Sequence, residues 1–207
     1  MDWDFLPKLL NLKDVPCLLL PEMFKEACRY VKVEGLLMEC GIFRGESARE
    51  ILNAYSEVTQ FPASSLKILY GFDSFLGLDE ALTPMNPKGT TQLPDFEEYV
   101  AKYPIGLYLI TGKVQDTLIP FLGEHSEVVS FINIDMTYTP THYVLRTLAE
   151  YKRLVKGSVI CIEQAIRPEK GQIYDGNYQA FIEVMKEFKI TYKYIACADC
   201  HFAVIIE

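Results

Sequence analysis

The fold is decided by the stretch Leu36-Leu37-Met38-Glu39-Cys40-Gly41-Ile42-Phe43-Arg44-Gly45-Glu46-Ser47. Its apolar start predicts a buried strand over residues 36–38, which ends in the acid Glu39. A turn with two glycines follows, and Ser47 is a suitable N-cap for the next helix. A strand, a glycine loop and a helix in this order form the first unit of a nucleotide-binding α/β sheet.

The spacing of the acid and the glycines indicates the kind of nucleotide. The pattern is Glu-x-Gly-x-x-x-Gly, whereas dinucleotide-binding enzymes carry Gly-x-Gly-x-x-Gly. This difference favours S-adenosylmethionine (SAM) over NAD and makes a dehydrogenase the weaker hypothesis. The backbone N–H groups between Gly41 and Gly45 would face the methionine carboxylate, as helix N-termini and backbone nests face anions.

Length and composition predict a single globular domain. The chain has 207 residues, of which 50% are hydrophobic and 23% are charged, so it can bury a sizeable core. The net charge of −8 and the lack of basic clusters disfavour nucleic-acid binding. We predict one domain over residues 1–207, with residues 1–34 as a helical N-terminal lead-in.

The start of the chain and its hydropathy predict a cytoplasmic protein that binds no membrane. Met1-Asp2-Trp3-Asp4 lacks the basic region of a signal peptide, and no apolar run approaches membrane-spanning length. The six cysteines are expected to be buried free thiols. Cys197-Ala198-Asp199-Cys200-His201 matches a haem-attachment pattern, but covalent haem goes with export, and zinc would need a second ligand pair.

Strand and helix patterns alternate along the chain. This alternation predicts a Rossmann-like α/β fold, with a mostly parallel seven-stranded sheet and helices on both faces. The last two strands follow each other closely, so the last strand should run antiparallel to its neighbour. The predicted strands are 36–38, 67–73, 107–111, 128–135, 158–162, 190–196 and 201–206, and the predicted helices are 21–33, 47–55, 96–102, 116–122, 141–154 and 178–188.

Four acids stand at the ends of predicted strands: Glu39, Asp73, Asp135 and Glu163. Because ligands of open α/β sheets bind at the carboxyl ends of the strands, these acids should meet at one edge. Acids also end strands as solvated turn residues, but four together favour a site. Asp73 is placed to accept hydrogen bonds from both ribose hydroxyls of a nucleotide.

The segment Gly112-Lys113-Val114-Gln115-Asp116 follows the third strand and would border an adenine ring. Gln115 and Asp116 are equally suited to capping the next helix. Both interpretations stay open at this point.

Three successive motifs then lead to a family: Glu39 to Ser47, Gly71-Phe72-Asp73-Ser74-Phe75-Leu76-Gly77-Leu78, and Ile134-Asp135-Met136-Thr137-Tyr138-Thr139-Pro140-Thr141. They resemble the motifs of the macrocin-type (TylF-like) sugar O-methyltransferases, which are class I SAM-dependent enzymes. The similarity extends from about residue 35 to the C-terminus. The resulting cofactor-binding candidates are Glu39, Gly41, Phe43, Gly45, Ser47, Asp73, Ser74, Phe75, Gly112, Gln115 and Asp116.

The resemblance implies methylation of a sugar hydroxyl, often on a deoxyhexose such as rhamnose within a glycan or natural product. It also implies a divalent cation, commonly Mg²⁺, held by acids after strands four and five. The family's Asp-x-Asp is Asp135-Met136-Thr137 here, and its paired acids are Glu163-Gln164, so Asp135 and Glu163 remain as cation ligands. Family members are often homo-oligomers, which this sequence leaves open.

The reaction needs a general base. Methyl transfer is an in-line displacement on a sulfonium, so the protein chiefly aligns the reactants and accepts the proton of the hydroxyl. Asp135 is the first candidate, and His142 and Glu163 are the reserves. His142 is expected at the start of a helix. The alternative to a catalytic role is that it is only a partly exposed residue at the helix start. The loops 76–95 and 164–176 would form the acceptor side.

Two other functions stay open. The first is a cation-dependent O-methyltransferase for a small catechol-like phenol, which would normally need a complete cation site. The second is a catalytically silent protein of the same fold that binds a partner. The acids missing from the family's pairs are the reason to keep this hypothesis.

Overall fold

The structure is a computed structural model, and it describes residues 14–58, 68–78, 92–93, 100, 102–163 and 176–207. Several predictions fall outside these residues. They are the lead-in before residue 14, nearly all of the helix 96–102, most of the loop 76–95 and the loop 164–175.

A seven-stranded sheet forms the centre of the described structure, in the order β3-β2-β1-β4-β5-β7-β6. Strands β1 to β5 are parallel, and β7 runs antiparallel to both β5 and β6. The predicted fold class is therefore confirmed. The strands are β1 (Leu36–Cys40), β2 (Leu69–Asp73), β3 (Leu107–Thr111), β4 (Val129–Ile134), β5 (Val159–Ile162), β6 (Tyr192–Ala198) and β7 (His201–Ile206).

Helices cover both faces of this sheet. Helices α1 and α2 contribute to the core on one face, and α3, α4 and α5 contribute to the core on the other. Side chains of β1 alternate between the two cores, since Met38 belongs to one and Leu37 to the other. The described helices are α1 (Leu20–Arg29), α2 (Glu46–Val58), α3 (Val114–Glu124), α4 (Tyr138–Glu150) and α5 (Asn177–Glu187).

The central strands are buried along their whole length. Every residue of β1, β4 and β5 is buried, as expected for parallel strands that are covered on both sides. β1 also continues to Cys40, two residues beyond its predicted end. Glu39 therefore lies inside the sheet rather than in the turn that follows it.

Helix α4 begins three residues before the predicted start at residue 141 and ends four residues before the predicted end at 154. Thr137 has extended backbone and caps the helix at its N-terminus, so the first turn contains Pro140. A proline is tolerated there because a first-turn N–H has no partner within the helix. His142 consequently lies in the second turn, not at the helix start.

The segment before α1 lies along strand β6. The Leu18 N–H donates to the Cys197 carbonyl at 2.8 Å, and the Cys197 N–H donates to the Pro16 carbonyl at 3.0 Å. None of the six cysteines forms a disulfide; four of them are buried, and Cys17 and Cys200 are half-buried. Within the described ranges, no helix is long and apolar enough to cross a membrane.

Candidate active site

The four predicted acids meet at the carboxyl edge of the sheet. Strand order reverses between β1 and β4, which is where ligands of open α/β sheets bind. The acids lie close enough for their charges to act on one another. Asp73 raises the pKa of Asp135, and Asp135 raises the pKa of both Glu39 and Glu163.

The loop from Gly41 to Gly45, here called the glycine loop, crosses this switch point. Gly41 has a φ of +93°, and a Cβ at this position would lie 2.1 Å from the Asp135 carbonyl oxygen. Only glycine meets both conditions without strain. Gly41 therefore lets the glycine loop pass close to the chain that follows β4.

Asp73 holds the glycine loop in place. Its Oδ2 accepts hydrogen bonds from the N–H groups of Ile42 at 2.9 Å and Phe43 at 2.8 Å, and its Oδ1 accepts one from the Phe75 N–H at 2.7 Å. The sequence predicted ribose as the partner of this carboxylate. In the structure three backbone N–H groups bind it, although Asp73 also borders a cavity.

Tyr103 supports the glycine loop from the opposite side. Its hydroxyl donates to the Phe43 carbonyl at 2.6 Å. A Cβ at Gly45 would lie 2.8 Å from the Tyr103 ring, so the predicted Gly45 serves packing of the loop. Phe43 itself has a φ of +47°, a conformation that these contacts from both sides maintain.

Two cavities open at this edge and share Gly41 and Asp135. The smaller one, of about 90 Å³, extends from β2 to the start of α3, and the larger one, of about 550 Å³, lies over the glycine loop and α2. The smaller is lined by Gly41, Phe72, Asp73, Ser74, Gly77, Leu78, Gly112, Lys113, Val114, Gln115, Asp135, Met136, Thr137 and Pro140. The larger is lined by Leu20, Pro21, Phe24, Gly41, Ile42, Phe43, Arg44, Glu46, Ser47, Arg49, Glu50, Asp135 and Glu163.

Most predicted site residues line one of the two cavities, but four cofactor candidates do not. Glu39 is buried in the sheet, and Gly45 packs on Tyr103. Phe75 is buried with Ile42, and its contribution is the N–H that binds Asp73. Asp116 is exposed in the first turn of α3, on none of the described cavity walls. Gln115 borders the smaller cavity. Of the two residues for which the sequence left both interpretations open, only Gln115 therefore lies on a cavity wall.

His142 faces α5 rather than a cavity. Its Nε2 lies 3.9 Å from Glu183 Oε2, and the same oxygen accepts a hydrogen bond from the Tyr138 hydroxyl at 2.6 Å. Among the described residues, His142 belongs to neither cavity wall. Of the three candidate bases, the structure brings Asp135 and Glu163 together and leaves His142 at the contact between α4 and α5.

A buried amide joins two of the acids. Asn133 Nδ2 donates to Glu39 Oε1 at 2.9 Å and to Glu163 Oε1 at 2.6 Å. Glu39 and Asn133 are fully buried, and Glu39 Oε2 has no partner among the described residues. The sequence analysis missed Asn133, although a polar side chain within an apolar strand such as β4 is a signal that a buried partner exists.

Burial shifts the protonation of these acids. It raises the pKa of Glu39 to about 8, against a smaller lowering by hydrogen bonds from Ser47 and Asn133. It also raises the pKa of Asp135 to about 6, with a further contribution from the negative charge of Asp73. The pKa of Glu163 is raised well above its usual range, first by burial and then by the Asp135 charge. A cation bound beside these acids would favour their ionised forms.

Asn177 was not among the predicted site residues. It connects the chain after β4, the chain after β5 and helix α4. Its Nδ2 donates to the Met136 carbonyl at 2.6 Å and to the Glu163 carbonyl at 2.9 Å, and its Oδ1 accepts from the Thr141 hydroxyl at 3.0 Å. Asn177 therefore fixes the chain beyond β4 and β5, next to the larger cavity.

The Cys-x-x-Cys-His segment forms no described metal or haem site. Cys197 points into the core, and its thiol contacts the Pro16 carbonyl at 3.4 Å. Cys200 and His201 lie beside each other at the β6–β7 turn, with 3.7 Å between Sγ and Nε2. Burial lowers the pKa of His201 to about 4 and raises that of Cys200 to about 11, so both are neutral near pH 7.

The edge fits SAM better than it fits a divalent cation. A close glycine loop and several acids suit a nucleotide that carries a sulfonium and an ammonium group. Within the described ranges, no three His, Cys, Asp or Glu side chains gather as a metal site requires. Asn133 takes one of the acceptor positions of Glu163, and the position of the family's second acid is the buried Thr137, which has no carboxylate. The described residues do not fit the cation that the resemblance implies.

Comparison with known proteins supports the fold assignment. No family model and no curated protein matches the chain. Among solved structures, CalS11, a calicheamicin methyltransferase, matches with a TM-score of 0.67 at 18% identity, over 97% of this chain and 79% of that chain. The O-methyltransferase NovP matches with a TM-score of 0.64 at 17% identity, over 89% and 78%.

A third solved structure is the O-methyltransferase from Bacillus cereus in complex with S-adenosylhomocysteine (SAH). It matches with a TM-score of 0.53 at 15% identity, over 98% of this chain and 90% of that chain. These likenesses show that the chain has the Rossmann-like fold of class I methyltransferases. Because the sequence identities are this low, the similarities support the fold only, and the activity must be argued from the residues of the site.

Proposed function

We propose that this chain is a SAM-dependent O-methyltransferase that acts on a sugar hydroxyl. The observation that carries the proposal is the position of Asp135, which together with Gly41 borders both cavities. A donor in one cavity and an acceptor in the other would meet beside a carboxylate. Such a carboxylate can accept the proton that the hydroxyl loses.

The smaller cavity suits the adenosine part of SAM. Asp73, which the sequence assigned to ribose, lines it, as do Gly112 and Gln115, which the sequence assigned to adenine. Ser74, a further cofactor candidate, lines it as well. Asp73 already binds three N–H groups, but a carboxylate has about four acceptor positions, so its role in holding the loop leaves room for a hydroxyl. The methionine part would extend past Gly41 and Asp135, the residues that both cavities share, to the edge of the larger cavity where the acceptor lies.

Asp135 supplies the base in this proposal, and Glu163 stands beside it. When bound, SAM supplies a methyl group that its sulfonium charge already activates. Burial holds the pKa of Asp135 at about 6, which is closer to neutral pH than an ordinary aspartate and so makes it a better proton acceptor. His142 is left out of this mechanism because it contacts Glu183.

A deoxyhexose is the proposed acceptor. The larger cavity combines an apolar wall from α1, formed by Leu20, Pro21 and Phe24, with charged groups of the glycine loop and α2. A sugar with both methyl and hydroxyl groups matches such a lining. In support, CalS11 is a TDP-rhamnose 3′-O-methyltransferase. A catechol-like acceptor would draw on a cation site that the described residues do not provide.

A binding and activity experiment tests the proposal. Calorimetric titration with SAH should give micromolar binding, and labelled SAM should transfer methyl groups to a deoxyhexoside in a panel of sugars and catechols. Asp135→Asn should lower turnover by at least about 100-fold while SAH still binds, as expected for a general base. Asp116→Asn, an exposed aspartate on α3, is the matched control. Binding of SAH with no transfer to any acceptor would instead favour the silent-fold hypothesis.

A further inference from the structure

The amide of Asn133 occupies a central place at the carboxyl edge. It stands opposite Glu39 in the register of β4 and β1, so both side chains lie on the same face of the sheet. Its single NH₂ group donates to Glu39 at 2.9 Å and to Glu163 at 2.6 Å. One neutral side chain thus links the carboxyl groups of β1 and β5 through β4.

We infer that Asn133 takes over the role that a divalent cation has in related sites, and that methyl transfer by this chain needs no such cation. The inference rests on the proposed function. A cation requires oxygen lone pairs directed at it, whereas the Asn133 amide directs hydrogens at Glu163 Oε1. Asn133 is therefore a positioning residue, which holds the Glu163 carboxylate at the wall of the larger cavity.

The neighbouring oxygens are occupied in the same way. Asn177 Nδ2 donates to the backbone carbonyls of Met136 and Glu163, which are oxygens at the ends of β4 and β5 that a cation would otherwise find. Thr137 is buried and caps α4 instead of supplying a carboxylate. The NH₂ groups of two amides thus bind Glu163 Oε1 and the carbonyl oxygens of Met136 and Glu163.

The charge balance explains why an amide suits this place. Burial first, and the charges of neighbouring acids second, disfavour ionisation of Glu39, Asp135 and Glu163 at this edge. A carboxylate at position 133 would add a negative charge between two of them. An amide bridges them by hydrogen bonds and adds no charge, so the arrangement is stable without a metal.

The first test uses the wild-type protein, stripped with EDTA. SAH affinity and turnover on the acceptor should stay within about twofold between 1 mM EDTA and 5 mM MgCl₂ or MnCl₂. The inference would be overturned if the wild type loses turnover in EDTA and regains it with Mg²⁺, while the turnover of Glu163→Gln is not lowered by EDTA. A failure of SAH to bind under either condition would instead contradict the proposed function, so the two outcomes are distinguishable.

The second test converts the donor to an acceptor. Asn133→Asp is nearly isosteric and brings three carboxyl groups together. We expect a lower melting temperature in EDTA and a rise of several degrees on addition of MgCl₂ or CaCl₂, which the wild type should not show. Asn53→Asp, at an exposed position of α2, is the matched control. An Asn133→Asp protein as stable as the wild type in EDTA would overturn the bridging role.

A third variant separates positioning from folding. Asn133→Ser keeps a donor but shortens its reach, so it should lower turnover by about 10-fold or more while SAH affinity changes by less than about threefold. Equal losses of turnover and SAH affinity would show that Asn133 serves only the architecture of the edge.

Discussion

Asp73 Oδ2 accepts a hydrogen bond from the backbone N–H of Phe43 at 2.8 Å, which ties the end of β2 to the loop that follows β1. The same oxygen binds the N–H of Ile42, and the other oxygen binds that of Phe75. One carboxylate therefore organises two of the loops that border the smaller cavity. A residue that the sequence assigned to the ligand also shapes the site that receives the ligand.

Replacement of Asp73 by Asn should weaken cofactor binding through the loop. The amide presents an NH₂ group to backbone N–H donors, and hydrogen bonds to a charged acceptor are worth about 1.5–3 kcal/mol. We expect a 10- to 100-fold weaker SAH affinity, measured by calorimetry, and a lower melting temperature even without ligand. Asp116→Asn should change neither by much. If the ligand-free melting temperature of Asp73→Asn equals that of the wild type, destabilisation of the loop does not explain the weaker SAH binding.

Replacement of Gly41 by Ala should disrupt the switch point. The new Cβ would lie 2.1 Å from the Asp135 carbonyl oxygen, at a φ of +93° that alanine rarely adopts. We expect a loss of at least about 2 kcal/mol in the free energy of unfolding, measured by urea denaturation, and no measurable SAH binding. Gly123→Ala is the control, because a Cβ there meets no atom within 4 Å. Equal effects at both glycines would contradict the role of the close contact.

Removal of the Tyr103 hydroxyl should loosen the glycine loop. Tyr103→Phe leaves the Phe43 carbonyl without the donor that now lies at 2.6 Å. The expected cost is about 1 kcal/mol, which corresponds to an approximately fivefold weaker SAH affinity. Tyr108→Phe, at a side chain that is 60% exposed, should be neutral. If SAH affinity is unchanged in Tyr103→Phe, the hydroxyl does not support the loop.

The affinity for SAM should depend on pH more than the affinity for SAH does. Asp135 has a pKa of about 6, and a sulfonium beside it favours the ionised form. SAM affinity should therefore fall as pH decreases through about 6 and stay level above it, while SAH, which lacks the sulfonium charge, should show a weaker trend. Titrations from pH 5 to pH 8 measure this. In Asp135→Asn the difference should vanish, and its persistence would assign the effect to another group.

Glu39→Gln should stabilise the ligand-free protein at high pH. Burial raises the pKa of Glu39 from 4.5 to about 8 in the folded state, so the folded state holds the proton more tightly than the unfolded state. The contribution of protonated Glu39 to the free energy of unfolding is fully present below about pH 4.5 and is lost as the pH rises through about 8. At pH 8.5 the variant should melt above the wild type, by about 2–4 °C for each kcal/mol that ionisation of the buried Glu39 costs a chain of this size, and the gap should be smaller at pH 5.5. Glu124→Gln, at an exposed position of α3, should show no such gap.

Local patterns in the chain were sufficient to predict the fold class and the edge of the sheet where the four acids meet. Apolar runs that end in acids, separated by helical patterns, predicted the parallel sheet, and parallel strands bring their carboxyl ends to one edge. The glycine loop was also predictable, because the positive φ values at Gly41 and Gly45 favour glycine at these two positions. These features depend on neighbours within a few residues, which is the range over which sequence patterns act.

The tertiary structure alone decided how the side chains are used. Asp73 binds the backbone of residues 30 and 31 positions before it, and Asn133 reaches Glu39 across 94 positions. His142 contacts Glu183 of α5, 41 positions later in the chain, because α4 and α5 pack side by side. Such contacts depend on strand register and helix phase, and these are set when the sheet and its helices assemble, not by any local pattern in the chain.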